Sequence, residues 1–111
     1  ASFSPDGETL AYGGYDKNIN IVSTKTWKPL MAPLQSGGWV RTAAFSPNGA
    51  MFVHAGDDKM VWLVSTQSWQ PIREPLEASE WIRTLAFSPD GSMLAYGGDD
   101  KKVSLVSTQT W

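Results

Sequence analysis

His54 is the only histidine of the 111-residue chain, and it stands where two sister segments carry Tyr12 and Tyr96. A catalytic or metal-binding histidine needs partners, and no Asp or Glu recurs beside it at ligand spacing, so substitution for a tyrosine is the better reading. The acidic pairs Asp57-Asp58 and Asp99-Asp100 are each followed by lysine. A calcium loop offers several oxygen ligands at alternating positions and a closing carboxylate, whereas these offer two carboxylates and then a cation. Holding a turn suits them better. Ser23-Thr24, Ser65-Thr66 and Ser107-Thr108 supply hydroxyls, but none sits in a nucleophile-elbow sequence or beside a paired base. Gly13-Gly14 and Gly97-Gly98 lack the spacing and the following helix of a phosphate loop. None of this points to an enzyme, a metal or a cofactor.

The residues suited to contact are Trp39 and Trp81, each followed two positions on by an arginine, Arg41 and Arg83. Tryptophan and arginine dominate interface hot spots. The competing reading is structural: each tryptophan packs between neighbouring units and each arginine pairs with a nearby turn aspartate. Repetition favours the structural role, because scaffold residues repeat and binding residues need not. Trp62 is unrepeated, standing where Asn20 and Ser104 occur. It is a candidate for a contact peculiar to one unit, or for filling a cavity. Trp27, Trp69 and Trp111 recur and read as packing anchors.

The elements that must position these side chains are set by a repeat. FSPDG at 3–7, FSPNG at 45–49 and FSPDG at 87–91 put Phe3, Phe45 and Phe87 at a constant spacing of 42, the mark of a repeat array. Segments 43–69 and 85–111 agree at 17 of 27 positions, whereas 28–42 and 70–84 agree at only 6 of 15. The constant part therefore differs from a variable connector.

Within one unit, residues 39–45 alternate with the period of a strand, Val40, Thr42 and Ala44 on one side and Trp39, Arg41, Ala43 and Phe45 on the other. Ser46-Pro47-Asn48-Gly49 closes a hairpin, with proline setting φ and glycine taking the positive φ. Residues 51–55 form a second strand, 56–59 a tight turn, 60–64 a third strand and 65–68 another turn. A fourth strand is expected over about 69–76. It carries Pro71 and Pro75, as its counterpart carries Pro29 and Pro33, so it belongs at an outer edge. Each unit is thus a four-stranded antiparallel meander. Ile21, Leu63 and Leu105 lie on one face and Val22, Val64 and Val106 on the other, and such a sheet buries both faces only between neighbours. Radial stacking of that kind is a β-propeller.

Composition limits the partners. A net charge of −2 and a pI near 5.2 argue against sequence-independent binding to nucleic acid or an anionic membrane, which needs a basic face. There is no cysteine, hence no disulfide framework or thiolate metal site. No apolar run approaches the roughly 20 residues of a membrane span and no signal peptide is visible, so the cytoplasm is favoured.

The string AFSPDGSMLAYGGDDKKVSLV at 86–106, preceded by WIRTL at 81–85, resembles the WD-repeat β-propellers over the whole chain. The resemblance implies strands a to d running outward from a central channel. It places the family's b–c turn aspartate at Asp16, Asp58 and Asp100. Two signatures differ. The Trp-Asp pair ending strand c is Val22-Ser23, Val64-Ser65 and Val106-Ser107, and the Gly-His pair before strand a is absent. Without that histidine the family's buried Asp-His-Ser-Trp network cannot form, and the aspartates are expected to hold the turn through its own amides.

The expectation is an all-β chain of about two and two-thirds blades with a 42-residue repeat, all part of one propeller domain: 1–34 a partial blade, 35–76 a full blade, 77–111 a partial blade. Propellers typically have at least four blades, so further blades must come from a longer chain or from other copies. The chain opens mid-motif at Ala1-Ser2-Phe3, which favours a fragment. The implied function is a non-catalytic scaffold for an unidentified protein partner. The alternatives are an accessory domain of a larger enzyme or sensor, or a self-assembling partial propeller.

Overall fold

The structure, a computed structural model, describes residues 2–13, 17–35, 37–99 and 101–110. Asp16, Asp100 and Trp111 lie outside these residues. The described chain is all-β, three antiparallel sheets with no helix, and accordingly no helix is long and apolar enough to cross a membrane.

The first sheet has the order β1 (Ser2–Phe3), β2 (Thr9–Gly13), β3 (Asn18–Ser23) and β4 (Leu34–Gln35). The second repeats it with β5 (Val40–Phe45), β6 (Met51–Gly56), β7 (Met60–Ser65) and β8 (Leu76–Glu77). The third holds β9 (Ile82–Phe87), β10 (Met93–Gly98) and β11 (Val103–Ser107). Hydrophobic layers fill the two gaps between sheets. Ala11, Ile19 and Ile21 of the first meet Val40 and Phe52 of the second. Val53, Ala55, Val61 and Leu63 of the second meet Ile82, Leu85 and Leu94 of the third. These are blades of an open propeller, each burying a face only where a neighbour lies against it. Leu63 is 1% exposed, whereas its counterpart Leu105, on the uncovered side of the third sheet, is 65% exposed.

The FSPDG turns form the expected hairpins. Gly7, Gly49 and Gly91 take φ near +75°, a region glycine enters without steric cost. Ser46 Oγ donates to Asn48 Oδ1 at 2.7 Å and accepts from the Met51 amide at 3.0 Å; Ser4 with Asp6 and Ser88 with Asp90 do the same.

Two local expectations are corrected. The fourth strand is split. Pro71 makes only an isolated bridge to Val64, the Ile72 amide bonds the Leu63 carbonyl at 2.9 Å, and pairing resumes at Leu76–Glu77 against Met60–Val61. Pro71 and Pro75 have no amide hydrogen to give a ladder, and the chain between them leaves it. The first strand also departs from simple alternation. Val40 pairs with Gly56 but Thr42 pairs with Ala55, so Arg41 is the extra residue of a β-bulge. The bulge puts Val40 in the same layer as Ala43 and Phe45 rather than with Ala44.

Candidate functional site

The turns sort onto two rims. The lower rim carries the FSPDG hairpins and the turns after β3, β7 and β11. The upper rim carries the starts of β5 and β9, Lys17 just before β3, and the turns that begin after β6 and β10.

On the upper rim the bulge recurs: Ile82 pairs with Gly98 and Thr84 with Gly97, leaving Arg83 as the extra residue. A bulge re-aims a side chain, and here it sends each arginine toward an aspartate. Arg41 Nε and Nη2 reach Asp57 Oδ1 and Oδ2 at 2.9 and 3.1 Å. Arg83 makes the same fork with Asp99 at 2.9 and 3.2 Å. The Arg83 guanidinium holds the Asp99 carboxyl below its ordinary range. Forked pairs fix orientation as well as charge. Gly56 and Gly98 make the bulges possible, because a Cβ at either would lie within 2 Å of the carbonyl oxygen of Trp39 or Trp81. The same carbonyls accept the amides of Asp57 and Asp99 at 3.0 and 3.1 Å.

The fixed arginines hold the tryptophans. The Arg41 guanidinium carbon lies 5.4 Å from the Trp39 ring centre and 5.9 Å from that of Trp81, and Arg83 lies 5.3 Å from Trp81. These are cation–π distances. The sequence Trp39, Arg41, Trp81, Arg83 is therefore a ladder of alternating rings and cations across two blades. Trp39 and Trp81 remain 40% and 39% exposed. Beside this ladder opens a cleft of about 280 Å³, lined by Lys17, Gly38 and Asp57 besides the two rings.

Trp62 does not line this cleft. Its ring stacks on His54 with centres 6.2 Å apart and planes 12° from parallel, and its indole N–H donates to Asp58 Oδ2 at 2.7 Å. Asp58 Oδ1 accepts the Met60 amide at 3.1 Å, holding the turn. His54 is buried and, among the described residues, its Nδ1 has no hydrogen-bond partner. Burial pushes its imidazole down to about 4, the Asp58 carboxylate pulling weakly the other way. His54, Trp62 and Asp58 thus form a tie between the second sheet and its turn, and sequence reading missed it. The cross-strand register, which sets His54 opposite Trp62, is the signal that could have found it.

The lower rim holds a larger groove, about 370 Å³, between the first two sheets. Its polar walls are already engaged with one another. Ser4 donates to Asp6, and the Thr66 hydroxyl donates to the Gly49 carbonyl at 2.6 Å. Thr24 and Thr108 repeat that clasp on Gly7 and Gly91 at the same distance. The Ser-Thr pairs are fasteners between turns. Trp69 packs on Phe45 and Phe52 near this rim, with centres 6.3 and 5.9 Å away, whereas Trp27 is exposed.

The family model described as "WD domain, G-beta repeat" matches residues 1–23, 28–65 and 69–107. Among curated proteins no sequence matches. Among solved structures, Kuenenia stuttgartiensis hydrazine synthase is similar at a TM-score of 0.87 and 21% identity, over 97% of this chain and 32% of that one. The chain thus spans about a third of that protein's length, and the likeness concerns the fold alone. Matched in all three units and built as stacked antiparallel blades, the chain belongs to the WD-repeat family.

Proposed function

We propose that residues 1–111 are part of one propeller domain, in segments 1–34, 35–76 and 77–111, that serves as a non-catalytic protein-interaction scaffold and meets its protein partner on the upper rim. Trp39 and Trp81 are the contact rings, Arg41 and Arg83 hold them, and Trp62 supports the turn behind them through Asp58. The observation that carries this reading is the ladder. Two large aromatic side chains stand exposed on adjacent blades, pre-ordered by forked ion pairs, and rigid aromatic anchors lose little freedom on binding. The variable connector also ends on this rim: Gly37-Gly38 in one unit is Ser79-Glu80 in the next, and loops that vary on a fixed scaffold carry function.

A photo-crosslinking residue placed in turn at Gly38, Trp81, Gln67 and Gln109 of the full-length protein in its native cells tests this. Discrete, reproducible adducts from Gly38 and Trp81 and none from the lower-rim positions are expected. Adducts confined to the lower rim, or absent from both rims, would contradict it.

A further inference from the structure

Resting on the reading of the upper rim as partner-facing, we infer that the cleft lined by Trp39 and Trp81 takes an apolar side chain adjoining a carboxylate, such as a partner's aromatic or leucine residue beside Asp or Glu. The two indole rings supply apolar surface to its lining. The charge at the mouth decides the rest.

Among the described residues, three aspartates stand near this rim, and each is already engaged. Both oxygens of Asp57 are held by Arg41 and both of Asp99 by Arg83. Those of Asp58 accept the Met60 amide and the Trp62 indole N–H. Glu80 lies on the other side of Trp81, in a separate groove that it shares with Lys102. Lys17 is different. It lines the cleft itself and, among the described residues, has no salt-bridge partner. Its backbone is left-handed at φ 64°, which fixes the direction in which the chain leaves the turn. The cleft's lining therefore presents two indole rings, an Asp57 carboxylate already paired with Arg41 and, among the described residues, one cation without a salt-bridge partner. An acidic neighbour on the incoming side chain completes that arrangement, whereas a basic one meets Lys17 with like charge.

The test uses three probes of one shape, phenylpropionate, its neutral amide and phenethylammonium, titrated at millimolar concentration. The indole N–H signals are followed by NMR, with exposed Trp27 as an internal control. The Trp39 and Trp81 signals should move together with phenylpropionate while Trp27 stays. Phenylpropionate should bind about fivefold more tightly than the amide, the factor expected of one exposed charge pair. Lys17→Ala should abolish that preference, and Lys17→Glu should transfer it to phenethylammonium. Because Lys17 is a surface side chain, neither variant depends on refolding the cleft.

Unmoved Trp39 and Trp81 signals, movement equal to that of Trp27, or the same affinity for all three probes would overturn the inference. The two readings fail separately. Probes that bind as described, with crosslinks absent from both rims, would sink the scaffold reading and leave the cleft's chemistry standing. Upper-rim crosslinks with unresponsive indoles would do the reverse.

Discussion

The two rims of the same sheets are built on different plans. On the lower rim, Thr24, Thr66 and Thr108 each donate to a turn glycine carbonyl at 2.6 Å, so one fastener is used three times unchanged. Neighbouring hairpins also touch: a Cβ at Gly49 would lie 3.7 Å from Pro5, and one at Gly91 3.5 Å from Pro47. On the upper rim the bulge, glycine and forked ion pair repeat, but what covers them does not. Gly37 and Gly38 press so closely on Asp58 that added Cβ atoms would come within 2.9 Å of its atoms, and the next unit has Ser79 and Glu80 there. A surface that repeats to the atom serves cohesion. A surface with a constant underframe and a changing cover leaves room for recognition.

The strongest way to break this comparison is to remove the underframe. Gly56→Ala would place a methyl within 2 Å of the Trp39 carbonyl oxygen. That backbone clash cannot relax without losing the bulge, so a cost of about 4 kcal/mol or more is expected in urea unfolding. Gly49→Ala on the lower rim meets only Pro5 at van der Waals distance and suffers the positive φ alone, costing about 1 kcal/mol.

Acid separates the rims next. A folded imidazole at about 4 against the ordinary 6.5 means that the unfolded chain binds more protons between those values. Stability therefore falls as pH drops below about 6.5 and the loss is complete by about 4, on the order of 3 kcal/mol in total. On the lower rim the Ser92 amide and the Ser88 and Ser92 hydroxyls hold the Asp90 carboxyl at about 2. Its contribution is present above the usual 3.8 and is lost only as pH falls through about 2. Unfolding measured at pH 7 and pH 4.5 should show the loss in the natural protein and its removal in His54→Tyr, the residue type of the sister units.

Two smaller changes sharpen the contrast. Thr66→Val removes one lower-rim fastener and should cost about 1 kcal/mol in thermal unfolding. Lys59→Gly on the upper rim relieves a left-handed lysine at φ 63° and should stabilise by about 0.5 kcal/mol.

What could be read in advance follows the same division. The FSPDG turn, the 42-residue period and the layered blades were legible because identical residues at identical spacing report identical backbone. The Arg–Asp pairing was legible as residue types near one turn. The bulge was not, since a period of two assumes one-to-one pairing and Arg41 breaks it, which sent Val40 to the wrong layer. The prolines marked the fourth strand as irregular, but only the ladder showed where it stops between Val64–Pro71 and Val61–Leu76. Nothing in Lys17 or Lys59 announces a positive φ, because lysine has no special liking for that region.

One measurement bears on the division of labour most directly: the unfolding free energies of Trp69→Ala and Trp81→Ala, the same truncation close to opposite rims. Trp69 packs on Phe45 and Phe52 inside the stack, and its loss should cost about 3 kcal/mol. Trp81 stands 39% exposed over two arginines, and its loss should cost about 1 kcal/mol or less while removing the upper-rim response to phenylpropionate. Equal costs for the two, with that response intact in Trp81→Ala, would show that Trp81 is scaffold like Trp69 and would contradict the account.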